Sequence, residues 1–263
     1  MDFPLTDRND SPRRGSELNG KVALVTGGAR NIGRAICREL AAGGASVMVN
    51  ANTSVEAAQE TVAMIEAADG KAAYHIGDIT QPEAVKKLIA ATIEKFGRID
   101  MLVSNAAVRK ETPLANITLD EWHHVLSVVL DGAFLCSQAC VPHLKRAGGG
   151  SIVTIGGMTG HKGARNRPHV VAAKSGLVGL VKALAMDLAA DNITVNCVVP
   201  GTIVTERGIP GAPERPKERS HTPPAGRHGE PEEIAAMVRM LCGPGARYVT
   251  GQAIHVNGGG FMA

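Results

Sequence analysis

Residues 21–36 read KVALVTGGARNIGRAI, and this stretch decides the fold. The apolar run at 21–26 fits a strand buried on both faces of a parallel sheet. It passes without a linker into Gly27-Gly28-Ala29-Arg30-Asn31-Ile32-Gly33. A helical pattern then runs over 31–42 and is closed by Gly43-Gly44. Glycines at such a junction let the backbone turn tightly and approach a pyrophosphate, while the helix N-terminus offers free N–H groups to its charge. A glycine-rich run alone is weak evidence. Placed between a strand and a helix, with strand–helix alternation after it, it points to a dinucleotide site.

The alternation continues outward. Strands are expected at 46–50, 72–77, 101–104, 151–155, 193–198 and 253–256. Helices are expected at 54–68 with Ser54 as N-cap, at 82–96, at about 118–147 opened by the capping box Thr-Leu-Asp-Glu, at about 170–190, and at 231–241. The fold class that follows is α/β, a single Rossmann-type doubly wound parallel sheet of about seven strands flanked by helices. Residues 1–17, polar and rich in Asp, Arg, Ser and Pro, read as a flexible tail; 18–263 read as one nucleotide-binding domain. The one irregular stretch, about 202–230, is rich in Pro, Gly and charge and reads as a substrate lid.

Composition narrows the function classes. A net charge of +3 over 263 residues is too weak to argue for nucleic acid or a membrane surface. Neither a secretory leader nor an apolar run of membrane-spanning length is read from the sequence, so a cytoplasmic location is expected. The five cysteines (37, 136, 140, 197 and 242) are odd in number and scattered, as expected of reduced thiols. Cys136 and Cys140 share a helix face and read as small apolar fillers rather than metal ligands; no metal is expected.

The second strand ends Val49-Asn50-Ala51-Asn52-Thr53, without the carboxylate that would bind an NAD ribose. Arg30, in the glycine loop, is placed to reach a 2′-phosphate, its alternative being a solvated loop charge. NADP(H) is therefore favoured over NAD(H), with Asn50 and Asn52 beside the adenosine ribose.

Over about 18–261 the chain resembles the classical short-chain dehydrogenases/reductases. The motifs are TGGARNIG (26–33), Asp78-Ile79, SNAA (104–107), Lys174, PGTIVT (200–205) and VNGGGFM (256–262). The resemblance implies that Gly27, Arg30, Asn31, Ile32 and Gly33 cradle the phosphates and that Asp78 and Ile79 hold the adenine. It implies that Asn105, Ala106 and Ala107 line the adenosine ribose side. Pro200, Gly201, Ile203 and Thr205 would hold the nicotinamide ribose and carboxamide, and Lys174 would grip that ribose. Asn31 and Ala107 stand where the family usually has glycine. A homo-oligomer, tetramer or dimer, is implied, with the helices at 118–147 and 170–190 at an interface.

The family's acid–base set is a tyrosine, a lysine four residues on, a serine and an asparagine. Here Lys174 remains, but Val170, Gly157 and Val129 occupy the other three positions, and none of these transfers a proton. The two tyrosines, Tyr74 and Tyr248, lie elsewhere. His169 is the candidate acid, with Lys174 and a water as the alternative source; a histidine at a helix start can equally face solvent or a subunit neighbour. Asp131, Thr154, Ser104, Thr159 and His161 are weaker options. The 158–171 loop and the lid are rich in Arg and Lys, which suits an anionic small-molecule substrate such as a carboxylate, phosphate or coenzyme A ester, or is ordinary solvated loop charge.

The chain is similar to dienoyl-CoA reductases in lacking the tyrosine and keeping the lysine, although Val129 replaces the acidic residue of the peroxisomal kind. The expected function is an NADP(H)-dependent oxidoreductase with a non-standard site, reducing a conjugated C=C or C=O. The alternatives are lyase, hydratase or dehalogenase chemistry on the same scaffold, or a non-catalytic NADP(H)-binding protein.

Overall fold

In the computed structural model, residues 14–205 and 222–262 are described. The opening run forms β1 (Val22–Thr26), buried at every position. A strand with no exposed residue must be covered on both faces, and the alternating helices supply that cover. The succession is β1, α1 (Asn31–Ala42), β2 (Ser46–Ala51), α2 (Val55–Glu66), β3 (Lys71–Ile76), α3 (Pro82–Phe96), β4 (Met101–Ser104), α4 (Leu119–Leu126) and α5 (Gly132–Arg146). There follow β5 (Gly150–Ile155), α6 (Thr159–Lys162), α7 (Pro168–Leu188), β6 (Ile193–Pro200), α8 (Pro231–Cys242) and β7 (Ala253–Val256). The described strands form a seven-stranded sheet in the order β3-β2-β1-β4-β5-β6-β7. All its pairings are parallel. This is the expected doubly wound architecture, and the order reverses between β1 and β4.

Two apolar layers sandwich the sheet. One unites Val25, Ile36, Leu40, Val47, Ile234 and Val238; the other unites Leu24, Leu88, Leu102, Leu144, Ile152 and Val181. A third cluster, Val125, Val129, Ala133, Val170, Ala173 and Leu177, packs α4 and α5 against the start of α7. The stretches 119–146 and 168–191 are long and apolar enough, by length and composition alone, to cross a membrane. Both supply buried side chains to these layers, as core helices do.

Local details depart from the sequence expectations. The helix expected over 118–147 is interrupted by a π turn, Ser127–Asp131. Its Thr118 does cap, accepting from Glu121 N at 3.1 Å. The Glu121 carboxylate does not complete the capping box; it turns to Lys110 and His169, because charge-assisted bonds outweigh a backbone one. Ser54 makes no side-chain cap bond. Within the tail expected over 1–17, the described residues are tied to the domain: Gly15 N donates to Ala42 O at 2.8 Å, and Glu17 pairs with Arg239 at 2.6 Å. Residues 1–13 lie outside the described residues. So does 206–221 of the expected lid, whose two ends meet where Val204 N donates to Gly229 O at 2.8 Å.

Gly33 allows α1 to start hard against the turn before it. A Cβ there would lie 2.0 Å from the Gly27 carbonyl oxygen and 2.7 Å from Asn105 Nδ2. Gly33→Ala is expected to cost about 1–3 kcal/mol through overpacking, read as a lowered midpoint in urea denaturation; an unchanged midpoint would contradict this close approach.

Candidate functional site

β1 and β4 end level with one another, while β5 and β6 run on to Ile155 and Pro200. Thr26 pairs with Ser104, Ser104 with Thr154, and Thr154 with Cys197. Beyond these ends lies a cleft of about 590 Å³. Ligands of open α/β sheets bind at such a reversal of strand order.

The cleft collects the residues singled out in the sequence. Gly27, Arg30, Asn31, Ile32 and Gly33 line it from the glycine loop, and Asn50 and Asn52 from the end of β2. Asp78 and Ile79 follow β3; Asn105, Ala106 and Ala107 follow β4; Lys174 comes from α7; Pro200, Gly201, Ile203 and Thr205 follow β6. A larger hollow, about 750 Å³, lies between α3 and α5 and is lined by Val85, Ile89, Ile93 and Leu135. None of the predicted residues lines it, and it follows helix bodies rather than strand ends.

The loop geometry fits a dinucleotide pyrophosphate. Arg30, the N-cap of α1, is extended (φ −147°) and its side chain caps nothing. The first N–H groups of α1 have no acceptor within the helix, and the residues bearing them line the cleft. Asn31 sits at φ +50°, in the left-handed region. Asparagine is among the few L-residues that tolerate it, which explains how it replaces glycine here. Asn105 acts on the backbone: its amide donates to Thr26 O (3.1 Å) and Gly27 O (2.9 Å). Asn50 similarly donates to Gly77 O at 3.0 Å.

Lys174 is the buried charge of the cleft. Its Nζ donates to Ile155 O at 2.5 Å. Burial pulls its pKa down to about 8, with Cys197 beside it acting the other way. Ile155, Gly157 and Gly160 lie against it, and Val128, Gly156, Met158, Thr159 and Val170 line the same cleft. Most of these were not singled out as lining residues. The π turn accounts for one: Val128 lines the cleft, whereas Val129 is buried in the third apolar cluster. Asp131 is exposed and not among the lining residues.

His169 is not brought to the cleft. It is fully buried, with Nε2 3.1 Å from Glu121 Oε1. Lys110, then Thr112, hold that carboxyl below the usual carboxylate range. Its neighbour Val170 does line the cleft, as the ~100° step between adjacent helical residues requires. The expectation of His169 as the acid is therefore corrected: the ring is committed to Glu121. His161 packs on His255 at 4.5 Å between ring centroids and is likewise absent from the cleft lining. Arg109 and Arg167 do line it, and Arg167 is paired with Glu111. Among the described residues no cluster of three or more His, Cys, Asp or Glu forms a metal site.

A family model described as enoyl-(acyl carrier protein) reductase matches residues 27–260. A 3-oxoacyl-[acyl-carrier-protein] reductase of Synechocystis sp. is 37% identical over 93% of this chain and 98% of its own length. The chain belongs to the short-chain dehydrogenase/reductase family. A 3-oxoacyl-[acyl-carrier-protein] reductase of Vibrio cholerae is 35% identical, over 93% of this chain and 99% of its own. Among solved structures, a dehydrogenase/reductase from Sinorhizobium meliloti superposes with a TM-score of 0.88 at 35% identity, covering 94% of this chain and 98% of that one. A short-chain dehydrogenase from Burkholderia cenocepacia, in complex with NADP, gives 0.85 at 34%, covering 93% and 99%.

Membership makes the protein an oxidoreductase by family, and the expectation of NADP(H) stands. Arg30 is exposed at the mouth of the cleft, and β2 ends without a carboxylate. Arg30→Ala is expected to weaken NADPH binding about tenfold or more, or ~1.4 kcal/mol, and to leave NADH binding nearly unchanged in fluorescence titrations. Equal loss for both nucleotides would contradict the assignment of Arg30 to the 2′-phosphate.

Proposed function

We propose that this protein uses NADPH to reduce a conjugated C=C or C=O of an anionic or coenzyme A-linked acyl substrate, with Lys174 managing the proton. The observation that carries this reading is the buried Lys174 ammonium in a cleft whose nearby walls, Val128 and Val170, offer no other acid. The curated relatives act, by name, on acyl carrier protein thioesters, which favours an acyl thioester among anionic substrates.

Bound NADPH would supply the hydride. The remaining work falls to the chain. The α1 N-terminus and Arg30 would hold the phosphates, and Asp78 and Ile79 would flank the adenine side. One of the three N–H donors of Lys174 is spent on Ile155 O. The others are available to a ribose hydroxyl and to substrate or a bridging water. An acid works best when its pKa lies near the working pH, and a lysine brought down to about 8 meets that condition as an unperturbed one does not. In reduction of a conjugated C=C, negative charge builds on an oxygen remote from the carbon that accepts hydride, so the acid need not stand at the usual carbonyl position.

Three further readings accompany this one. The five thiols are free and buried, which supports a reducing, cytoplasmic setting. Phe134 and Met186, 44% and 83% exposed on α5 and α7, support packing of these helices against a second copy. The described domain from residue 18 onward would then be the unit that assembles.

Lys174 carries its charge below its pKa and loses it above. The kcat/KM for reduction is therefore expected to be level below pH about 8 and to fall about tenfold per pH unit above it. Lys174→Ala should remove most activity and weaken NADPH binding. The measurement is NADPH consumption with ketones, enoyl thioesters and dienoyl thioesters. Loss with the conjugated thioesters supports the proposal; tight NADPH binding with no consumption by any of them would favour the non-redox or binding-protein alternatives, which the apolar Val129 and Val170 also accommodate.

A further inference from the structure

Gly157 leaves a niche in the wall of the cleft. Where its Cβ would stand, the nearest atoms are Thr159 Oγ1 at 3.7 Å and Lys174 Cγ at 3.9 Å, ordinary contact distances with nothing closer. A small group therefore fits there without displacing anything, bounded by a hydroxyl on one side and the lysine stem on the other. Gly157, Thr159 and Lys174 all line the cleft.

Thr159 is firmly placed. It opens α6, and the next residue, Gly160, lies directly on α7. A Cβ on Gly160 would fall 2.9 Å from both the Lys174 carbonyl carbon and its Cβ. Ser175 Oγ donates to Gly160 O at 2.6 Å, and Gly163 N donates to Thr159 O at 2.9 Å. The β-branched side chain adds its own stiffness at χ1. Among the described residues its hydroxyl has no hydrogen-bond partner. A half-buried hydroxyl in a cleft wall, rigidly held and uncommitted, is a donor in search of an acceptor.

We infer that Thr159 is a catalytic residue whose hydroxyl donates to the substrate's carbonyl oxygen, seated in the niche that Gly157 leaves open. This inference rests on the reductase reading and deepens it. A threonine hydroxyl does not ionise near neutral pH, so it holds the oxygen while negative charge grows there and leaves proton delivery to Lys174. A preorganised donor aimed at a developing oxyanion acts mainly on the transition state. The substrate class narrows accordingly: it must present a carbonyl oxygen, as an enoyl thioester or ketone does and an isolated alkene does not.

The test compares wild type, Thr159→Val, Thr159→Ser and the double variant Thr159→Val with Gly157→Ser, using NADPH and an enoyl thioester. Thr159→Val should lower kcat roughly 100-fold, as loss of one oxyanion donor does, with KM and the NADPH dissociation constant nearly unchanged. Thr159→Ser should retain activity. Adding Gly157→Ser should not recover the loss, because its side chain fills the niche that seats the carbonyl oxygen; full recovery would overturn that placement. Should Thr159→Val fail to fold by circular dichroism, Thr159→Ala takes its place. Wild-type kcat in the valine variant, or loss confined to KM or NADPH affinity, would overturn the assignment while leaving the reductase reading intact. Wild-type protein that binds NADPH but reduces no carbonyl-bearing substrate would overturn that reading, and Thr159's role with it.

Discussion

The amide of Asn105 joins the two halves of the sheet where the cleft opens. It donates to Thr26 O and Gly27 O, while the backbone N–H groups of Asn105 and Ala106 donate to Thr26 Oγ1 at 3.0 and 3.2 Å. These four bonds fix the loop after β1 against the loop after β4, on either side of the reversal in strand order. With the turn so held, only glycine fits at position 33, α1 starts at the strand end, and its N–H groups come to line the cleft. The geometry of this loop is thus a consequence of β1 and β4 ending level and of one side-chain amide satisfying the backbone groups left there.

The chemical half of the cleft follows a different constraint. Lys174 is buried, and a buried ammonium needs partners. Ile155 O supplies one, and the cleft is where the others must come from. Apart from Thr159, the lining residues named with it are apolar or lack side chains, so the proton and the substrate oxygen are left to few groups. Division of labour between an ammonium of lowered pKa and a neutral hydroxyl is a coherent way to reduce a conjugated acyl compound without a phenolic acid.

Much of this was legible in the sequence because the signals are local. The glycine run, the apolar strands and the missing carboxylate after β2 each depend on a few adjacent residues, and the structure brings all of the residues read as cofactor-binding to one cleft. What was not legible depends on contacts across the chain or on small changes of helical phase. His169 looked available until Glu121, 48 residues away, claimed its ring. A five-residue π turn rotated Val128 rather than Val129 into the cleft, and no propensity announces such a turn. Residues 14–17 read as tail because their partners, on α1, α8 and the segment after α2, are remote in sequence. Thr159 ranked low as an isolated hydroxyl; its meaning comes from the empty side of Gly157, which only the folded chain reveals.

Net hydride transfer at a site that keeps Lys174 and has valine at position 170 can be followed directly. The direct measurement is a mass-spectrometric assay of product formed from an enoyl thioester and NADPH deuterated at the transferring position of the nicotinamide. One deuterium is expected in each reduced product molecule, dependent on Lys174. Bound nucleotide that never passes its label to substrate, or turnover that proceeds without it, would rule out hydride transfer as the reaction.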